Sequence, residues 1–250
     1  MATRRARIGR PAPAGALAGK TALVTGGTRG IGRAIVEELH RLGCFVVTTG
    51  RDRKLLSQQG SQLGKQGMAL ACDVRSGNEV EELFQQIKKK RGRLDFLINN
   101  AGITNPPAPV EQMSVEAFEK VLDVNLTGTL RVTKSALPLM DRGGVIINNL
   151  SVAATRVFPG AAAYCASKFG ALGLTNTLRE ELRERGIRVT ALMPGPVSTG
   201  IWNVIWKEAP REKMATAEDV AHAVAAVLQL PEGATIESLH IGPTTGELAG

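Results

Sequence analysis

The sequence predicts an α/β fold, a Rossmann-type doubly wound parallel sheet of about seven strands flanked by helices in a single domain. From residue 20 onward, short runs rich in β-branched and apolar residues alternate with longer amphipathic stretches, a pattern typical of a parallel sheet covered on both faces. A glycine-rich segment follows the first of these runs, at the place where such folds bind dinucleotides. The chain has 250 residues, of which 43% are hydrophobic, so one domain with a large core is expected.

The strands and helices are predicted from the hydrophobic pattern in chain order. Strands are expected at residues 21–26, 44–49, 68–74, 94–100, 143–151, 187–194 and 236–242. Helices are expected at residues 31–43, 79–90, 115–137 and 162–185, with Gly43 ending the first. No internal repeat or linker interrupts this order, which favours a single sheet.

The N-terminal segment differs in composition from the rest of the chain. Residues 1–20 contain five basic residues and no acid, so they carry five of the eight net positive charges. Alanine, glycine and proline dominate there, which predicts a disordered basic tail over residues 1–18 before a domain over residues 19–250. Arginine without acids also occurs in organelle import signals, but Pro11 and Pro13 interrupt an amphipathic pattern. We therefore expect a cytoplasmic protein.

The composition also disfavours several other classes of protein. No apolar run approaches the ~20 residues of a membrane-spanning helix, so no membrane partner is expected. The three cysteines are scattered and the three histidines lack metal-ligand spacing, so neither a disulfide framework nor a metal site is predicted. Nucleic-acid binding is disfavoured because most of the excess positive charge lies in the tail. If the tail did bind nucleic acid, deleting residues 1–18 would abolish the binding and salt would weaken it.

The segment TGGTRGIG, residues 25–32, lies between the first predicted strand and the first predicted helix. Gly26, Gly30 and Gly32 permit a tight turn and a close backbone approach, and the N-terminus of the following helix offers unpaired N–H groups to a pyrophosphate. The spacing departs from GxGxxG, so the motif alone also fits a simple turn.

The end of the second predicted strand indicates which dinucleotide binds. Folds that bind NAD place an acid there, roughly 20 residues after the glycine loop, to hold the ribose 2′-hydroxyl. Gly50 and Arg51 occupy this position, and Arg29 lies in the loop. Two guanidinium groups suit a 2′-phosphate, so we expect NADP(H). Asp52 leaves NAD(H) open, and the two arginines as solvated surface charges are the other alternative.

Tyr164 is the single tyrosine of the chain, and Lys168 follows it four residues later. On a helix these two side chains share a face and address one small volume. The motif NNAG at residues 99–102 and Ser151 end two predicted strands, and Asn125 lies on the long helix between them. Ligands of open α/β sheets bind at the carboxyl edge of the strands, so we expect these groups to meet in one cleft.

Together these motifs resemble the short-chain dehydrogenase/reductase family over residues 20–242. Seven motifs occur in the family's order: Thr25 to Gly32, Asp73, NNAG, Asn125, Ser151, Tyr164 with Lys168, and Pro194 with Gly195. The resemblance implies a metal-independent oxidoreductase that transfers hydride between NADP(H) and a carbonyl or secondary alcohol. It also implies a homo-oligomer, a tetramer or a dimer, in which the two long helices pack against their symmetry mates.

The same resemblance assigns the site residues. Tyr164 is the general acid or base, Ser151 donates a hydrogen bond to the carbonyl oxygen, and Lys168 favours the phenolate by its charge. The catalytic residues are Asn125, Ser151, Tyr164 and Lys168. The cofactor-binding residues are Gly26, Thr28, Arg29, Gly30, Ile31, Gly32, Arg51, Asp73, Val74, Asn100, Ala101, Gly102, Tyr164, Lys168, Pro194, Gly195, Val197 and Thr199. Each residue taken alone also fits a structural role, such as a satisfied tyrosine hydroxyl or a serine cap.

The substrate pocket is expected to be apolar. Trp202 and Trp206 recur at helical spacing with neighbouring isoleucines, which predicts an apolar stripe. The resemblance implies that this segment closes over the substrate, and an apolar lid favours a hydrophobic or aromatic carbonyl compound. Ala153 and Phe158 are expected to form other walls. An equal expectation is that the tryptophans attach this segment to the body of the protein or contact a neighbouring subunit.

Two rival functions remain. A 3-oxoacyl-thioester reductase of lipid synthesis shares the motifs, although the C-terminal sequence ESLHIGPTTGELAG lacks the DGG-type ending frequent in those reductases. A regulatory protein that senses NADP(H) without turnover is disfavoured by the complete set of catalytic residues.

Overall fold

The computed structural model describes residues 13–246. Its strands form one sheet in the order β3-β2-β1-β4-β5-β6-β7, and each adjacent pair is parallel. The strands are β1 (Thr21–Val24), β2 (Phe45–Gly50), β3 (Gly67–Ala71), β4 (Phe96–Asn99), β5 (Val145–Asn149), β6 (Arg188–Pro194) and β7 (Ser238–Ile241). The predicted Rossmann-type parallel sheet of seven strands is confirmed.

Eight α-helices cover the sheet within the described residues. They are α1 (Gly30–Arg41), α2 (Arg53–Leu63), α3 (Gly77–Arg91), α4 (Val115–Leu122), α5 (Gly128–Ala136), α6 (Ala162–Leu182), α7 (Trp202–Ile205) and α8 (Ala217–Leu228). The sequence analysis did not predict α2 or α8. In α2 only three residues are buried, and one of them is Gln59, so its apolar stripe is narrow. In α8 the buried residues are small or β-branched, apart from Leu228, and a capping box between Thr216 and Asp219 marks its start.

Each face of the sheet packs against its own group of helices. The side chains of Ala22 and Val24 point to one face, where α1 and α8 cover them. Leu23 points to the opposite face, in the core cluster that α3, α5 and α6 complete. All three residues are fully buried, as expected of a central strand in a parallel sheet covered on both faces.

The strand order places the carboxyl ends of β1 and β4 side by side at the middle of the sheet. The chain runs from β1 outward to β3 on one side and from β4 outward to β7 on the other. Connections on the two sides therefore leave the sheet in opposite directions, and a crevice opens between them. Ligands of doubly wound folds bind in such a crevice.

The predicted long helix is interrupted by a π-helical turn. The segment Asp123–Thr127 joins α4 to α5 with π geometry. Asn125 lies in this turn and is 3% exposed. Because π turns insert one extra residue into a helix and recur at functional sites, the interruption singles out the position of Asn125.

The ordered body begins earlier than the predicted boundary at residue 19. Leu17 is 7% exposed and belongs to the core cluster beneath α1. Its N–H donates to the carbonyl of Leu42 over 2.8 Å, and its carbonyl accepts a bond from the Cys44 thiol at 3.7 Å. Leu17 is thus packed against the body of the domain, whereas residues 1–12 of the predicted tail lie outside the described residues.

No helix among residues 13–246 combines the length and the apolar composition needed to cross a membrane.

Replacing Leu17 by alanine should lower the free energy of unfolding by about 2–3 kcal/mol, because it removes a buried side chain and leaves a cavity. Urea denaturation measures the change. Val157→Ala is the matched control, since Val157 is 76% exposed and its truncation should change stability by less than about 0.5 kcal/mol. Equal, small effects of the two substitutions would show that residues 13–18 do not belong to the folded body.

Candidate active site

The glycine-rich loop lies between β1 and α1 and touches the end of β4. Gly26 has a φ of +65°, and a Cβ added there would lie 2.8 Å from the Ala101 Cα. A Cβ at Gly32 would lie 2.3 Å from the Asn100 Nδ2 and 2.5 Å from the carbonyl oxygen of Gly26. Neither position accepts a side chain, so both glycines are needed for the loop to pack this closely.

Asn100 and Thr25 hold the loop in place. The Asn100 Nδ2 donates to the carbonyls of Thr25 and Gly26 at 3.0 and 3.1 Å. In return, the Thr25 Oγ1 accepts from the backbone N–H groups of Asn100 and Ala101 at 3.0 and 3.1 Å. Thr25 was not among the predicted site residues, although the motif begins with it.

A cleft of about 260 Å³ opens beside the loop. Eight of the predicted cofactor-binding residues line it: Gly26, Thr28, Arg29, Arg51, Asp73, Val74, Ala101 and Gly102. This glycine-lined cleft lies at the crevice between β1 and β4, where doubly wound folds bind dinucleotides.

The other predicted cofactor residues lie around the loop, at and after the end of β6, and, for Tyr164 and Lys168, on α6. Thr199 approaches the loop, since a Cβ added at Gly30 would lie 3.3 Å from its side chain. Ile31 packs against the core, and Val197 is 4% exposed. Pro194 ends β6, and the N–H of Gly195 donates to the carbonyl of Ile241 at 2.8 Å.

The charged groups of the cleft form two ion pairs. The Arg29 Nη2 lies 2.7 Å from the Asp52 Oδ2, while the Asp52 Oδ1 caps α2 by accepting two backbone N–H groups. The Arg75 guanidinium binds Asp73 with its Nη2 2.6 Å from Oδ2 and holds the pKa of that carboxyl below its usual range. Arg51 is exposed, and no ion pair that involves it is found within residues 13–246.

Tyr164 lies in the first turn of α6, where its hydroxyl meets Ser151. Burial raises the pKa of the Tyr164 hydroxyl, and a hydrogen bond with Ser151 opposes that rise. The Lys168 Nζ lies 5.5 Å from the centroid of the tyrosine ring. The one-turn spacing thus brings a phenol, a hydroxyl and an ammonium together, a set suited to delivering a proton to an oxygen and stabilising the charge that develops there.

Lys168 itself is 6% exposed. Its Nζ donates to the carbonyl of Asn149 at 2.9 Å. Burial lowers the pKa of the ammonium from 10.5 to about 8, so the group is poised to exchange protons near neutral pH.

Asn125 reaches Tyr164 through a residue that the sequence analysis missed. The Asn125 Nδ2 donates to the Ser167 Oγ at 2.9 Å, and the Ser167 hydroxyl donates to the carbonyl of Tyr164 at 2.7 Å. The Asn125 Oδ1 also accepts a hydrogen bond from the N–H of Ile103, and its Nδ2 donates to the carbonyl of Ile103. Ser167 is fully buried, and its i+3 spacing from Tyr164 was the available signal.

The predicted pocket residues occupy three segments beyond the strand ends. Ala153 is 1% exposed, and its N–H donates to the Ser151 Oγ at 3.1 Å, so it lies behind that serine. Phe158 is 45% exposed. The tryptophans do not share one regular helix, because α7 ends before Trp206. The Trp202 Nε1 donates to the carbonyl of Val197 at 2.9 Å, which anchors the lid.

Among residues 13–246, the His, Cys, Asp and Glu side chains form no group able to hold a metal ion.

Comparison with known proteins gives consistent matches. The family model described as short chain dehydrogenase matches residues 20–210. The 3-oxoacyl-[acyl-carrier-protein] reductase FabG of Haemophilus influenzae is 38% identical over 217 residues, which are 83% of this chain and 89% of that protein.

Two solved structures share the fold. A serine dehydrogenase in a closed form complexed with NADP+ has a TM-score of 0.84 and 32% identity, covering 92% of this chain and 97% of that one. A 3-ketoacyl-(acyl-carrier-protein) reductase from Brucella melitensis, complexed with NADH, has a TM-score of 0.83 and 29% identity, covering 90% of this chain and 98% of that one.

The buried ammonium of Lys168 should make stability depend on pH. Because its pKa falls from 10.5 to about 8 on folding, the unfolded chain binds the proton more tightly. Stability therefore rises with pH between these values, and below about pH 8 the buried ammonium destabilises the fold by a constant amount. The free energy of unfolding of Lys168→Met minus that of wild type should accordingly be larger at pH 7 than at pH 10, by roughly 2–3 kcal/mol.

Chemical denaturation of both proteins at the two pH values measures this difference. Lys134→Met, a change at an exposed lysine of α5, is the control and should show no such pH dependence. A difference between wild type and Lys168→Met that is the same at both pH values would contradict the buried ammonium.

Proposed function

The chain belongs to the short-chain dehydrogenase family, and we propose that it is an NADP(H)-dependent reductase of small apolar carbonyl compounds, working in reverse on the corresponding secondary alcohols. Membership of the family makes it an oxidoreductase that acts on CH–OH and C=O groups with a nicotinamide cofactor. The observation that carries the proposal is the contact of Tyr164 with Ser151, with Lys168 one helical turn away.

The proposed mechanism divides the reaction between the cofactor and this chain's own groups. The bound nicotinamide supplies or accepts the hydride. Tyr164 gives its proton to the carbonyl oxygen during reduction and takes it back during oxidation. Ser151 donates a hydrogen bond to the same oxygen as negative charge develops there. Lys168 stabilises the phenolate that remains, because a positive charge nearby lowers a tyrosine pKa.

Asn125 acts by holding the helix that carries the tyrosine. Its amide joins the segment after β4 to Ser167, and Ser167 joins it to the backbone of Tyr164. All members of this path are hydrogen-bonded and partly or fully buried, so the first turn of α6 keeps one position.

The preference for NADP(H) over NAD(H) rests on the charges at the end of β2. Arg29 and Arg51 both line the cleft there, and a guanidinium binds a phosphate through two parallel hydrogen bonds. Asp52, the acid that suggested NAD(H), already accepts bonds from Arg29 and from the first turn of α2. Its oxygens are thus engaged, which leaves it less suited to a ribose hydroxyl.

The apolar character of the substrate is inferred from the segments that follow β5 and β6. Val157, Phe158 and Val204 are exposed large hydrophobic residues, and Trp202 and Trp206 are half-buried beside them in the sequence. Both segments begin at the carboxyl edge of the sheet, where ligands of such folds bind, and apolar side chains there favour a substrate with an apolar body.

A 3-oxoacyl thioester is the second candidate substrate. It is favoured by the relative from Haemophilus influenzae and the structure from Brucella melitensis, whose names state that activity. The carbonyl chemistry at Tyr164 is the same for both candidates, so only substrate tests separate them.

We propose in addition a cytoplasmic homo-oligomer, a tetramer or dimer, formed through α4, α5 and α6. Leu130 on α5 and Phe169 on α6 are 45% and 43% exposed, and packing these side chains against a partner subunit would remove apolar surface from water.

Tyr164→Phe removes the proton donor and little else, so it should lower kcat by about 10²–10⁴-fold, the range contributed by general acid catalysis. The test follows NADPH absorbance with ketones, diketones, quinones, steroids and acyl thioesters, with NADPH affinity measured by fluorescence as the control. The substrate that wild type consumes fastest identifies the substrate class. Turnover that is undiminished in the variant, with cofactor binding intact, would overturn the mechanism.

Arg51→Asp should lower the ratio of kcat/KM for NADPH to that for NADH by about tenfold or more, because it replaces a phosphate ligand with a repelling acid. Arg53→Asp is the matched control: it makes the same charge change on an exposed residue two positions further, outside the cleft lining. Its ratio should stay within about threefold of wild type, as long-range charge effects are screened. Equal effects of the two substitutions would argue against Arg51 as the phosphate ligand.

A further inference from the structure

Asn149, the last residue of β5, touches both halves of the site and has no role in the mechanism above. Its backbone carbonyl accepts the hydrogen bond from the Lys168 Nζ at 2.9 Å. Its side-chain Nδ2 donates to the Asn100 Oδ1 at 2.8 Å. Asn100 in turn holds the carbonyls of Thr25 and Gly26 at the start of the cofactor loop.

These bonds form an unbroken path from the loop to the buried ammonium. Each hydrogen bond of the path is 3.1 Å or shorter. Within Asn149 the path runs from the side-chain amide through the covalent bonds to the backbone carbonyl. A displacement of the loop therefore moves the carbonyl that orients Lys168. The partly buried side chains leave little room for the path to adjust in another way.

The side chain of Asn149 is not explained by stability alone. Its Oδ1 is buried and has no hydrogen-bond partner among the described residues. A buried acceptor without a partner is destabilising, whereas an apolar side chain of similar size at a strand end carries no such penalty. The amide of Asn149 thus makes its side-chain hydrogen bond through its Nδ2, the end that reaches Asn100.

We propose that Asn149 is a positioning residue that links the glycine-rich loop to Lys168, so that a cofactor bound at the loop fixes the ammonium in its working position. Asn149 touches no reacting atom and acts through Asn100 and Lys168. The inference rests on the proposed contact of Lys168 with the cofactor.

A double-mutant cycle on NADPH affinity tests the link. Asn149→Leu keeps the backbone carbonyl and a similar volume but removes the bond to Asn100. Dissociation constants are measured by NADPH fluorescence for wild type, Asn149→Leu, Lys168→Met and the double variant. Asn149→Leu should weaken binding about tenfold when Lys168 is present and less than threefold when Lys168 is methionine, because the path then has no ammonium to orient.

Thr175→Val is the matched control. Thr175 accepts a bond from Asn148, the neighbouring residue of β5, and fixes α6 on the opposite face of the strand. It has no contact with the loop, so its effect on NADPH affinity should be the same in both Lys168 backgrounds. Asn149→Thr, whose hydroxyl is one bond shorter than the amide, replaces Asn149→Leu in the cycle if the leucine variant does not fold.

The outcomes separate the link from the proposed function. A loss that is equal in both backgrounds means that Asn149 only supports the fold, and unchanged affinity in the Asn149 variant means that it has no role; either result overturns the link. If Lys168→Met alone leaves NADPH affinity unchanged, the proposed contact of Lys168 with the cofactor fails, and the link fails with it.

Discussion

The packing of the glycine-rich loop against the end of β4 is the constraint on which the site depends. Two glycines without room for a Cβ and four hydrogen bonds through Thr25 and Asn100 join the loop to the strand. The buried Gln59 of α2 fixes the outer side by donating to the carbonyl of Gly27 at 2.7 Å. Because the loop is tied to β2, to the residues that directly follow β4 and to α2, the cleft has a defined shape before any ligand enters.

The reacting groups are positioned by a single helix, α6. One turn of this helix supplies Tyr164, Ser167 and Lys168, and each reaches a different partner: Ser151, Asn125 and the carbonyl of Asn149. Burial opposes the charged form of both the phenol and the amine, raising one pKa and lowering the other. The two values therefore move apart, and the ammonium of Lys168 becomes the stronger acid of the two.

The sequence was sufficient to predict the sheet, most of the helices and the central pair of Tyr164 and Lys168, because these depend on local periodicity and on spacing along one helix. It was insufficient for Asn149 and Ser167, whose importance arises from contacts with residues distant in the chain. It also missed α2, where the buried face includes Gln59, a polar residue that no hydrophobic pattern selects. The packing of Leu17 against the core was not foreseen for a related reason: a single leucine forms no periodic pattern.

The π turn at Asp123–Thr127 also bears on how this chain tolerates changes in length. A π turn holds one more residue than the α-helical turn it replaces, so a deletion of a single codon here leaves a helix that is locally more regular. The same deletion leaves α5 close to its present orientation, because the turn has already absorbed the extra residue, so Val132 and Thr133 stay against the sheet, where both are buried. The least regular stretch of the helix is therefore the one where α5 is least sensitive to the loss of a residue, and what such a loss changes is the position of Asn125.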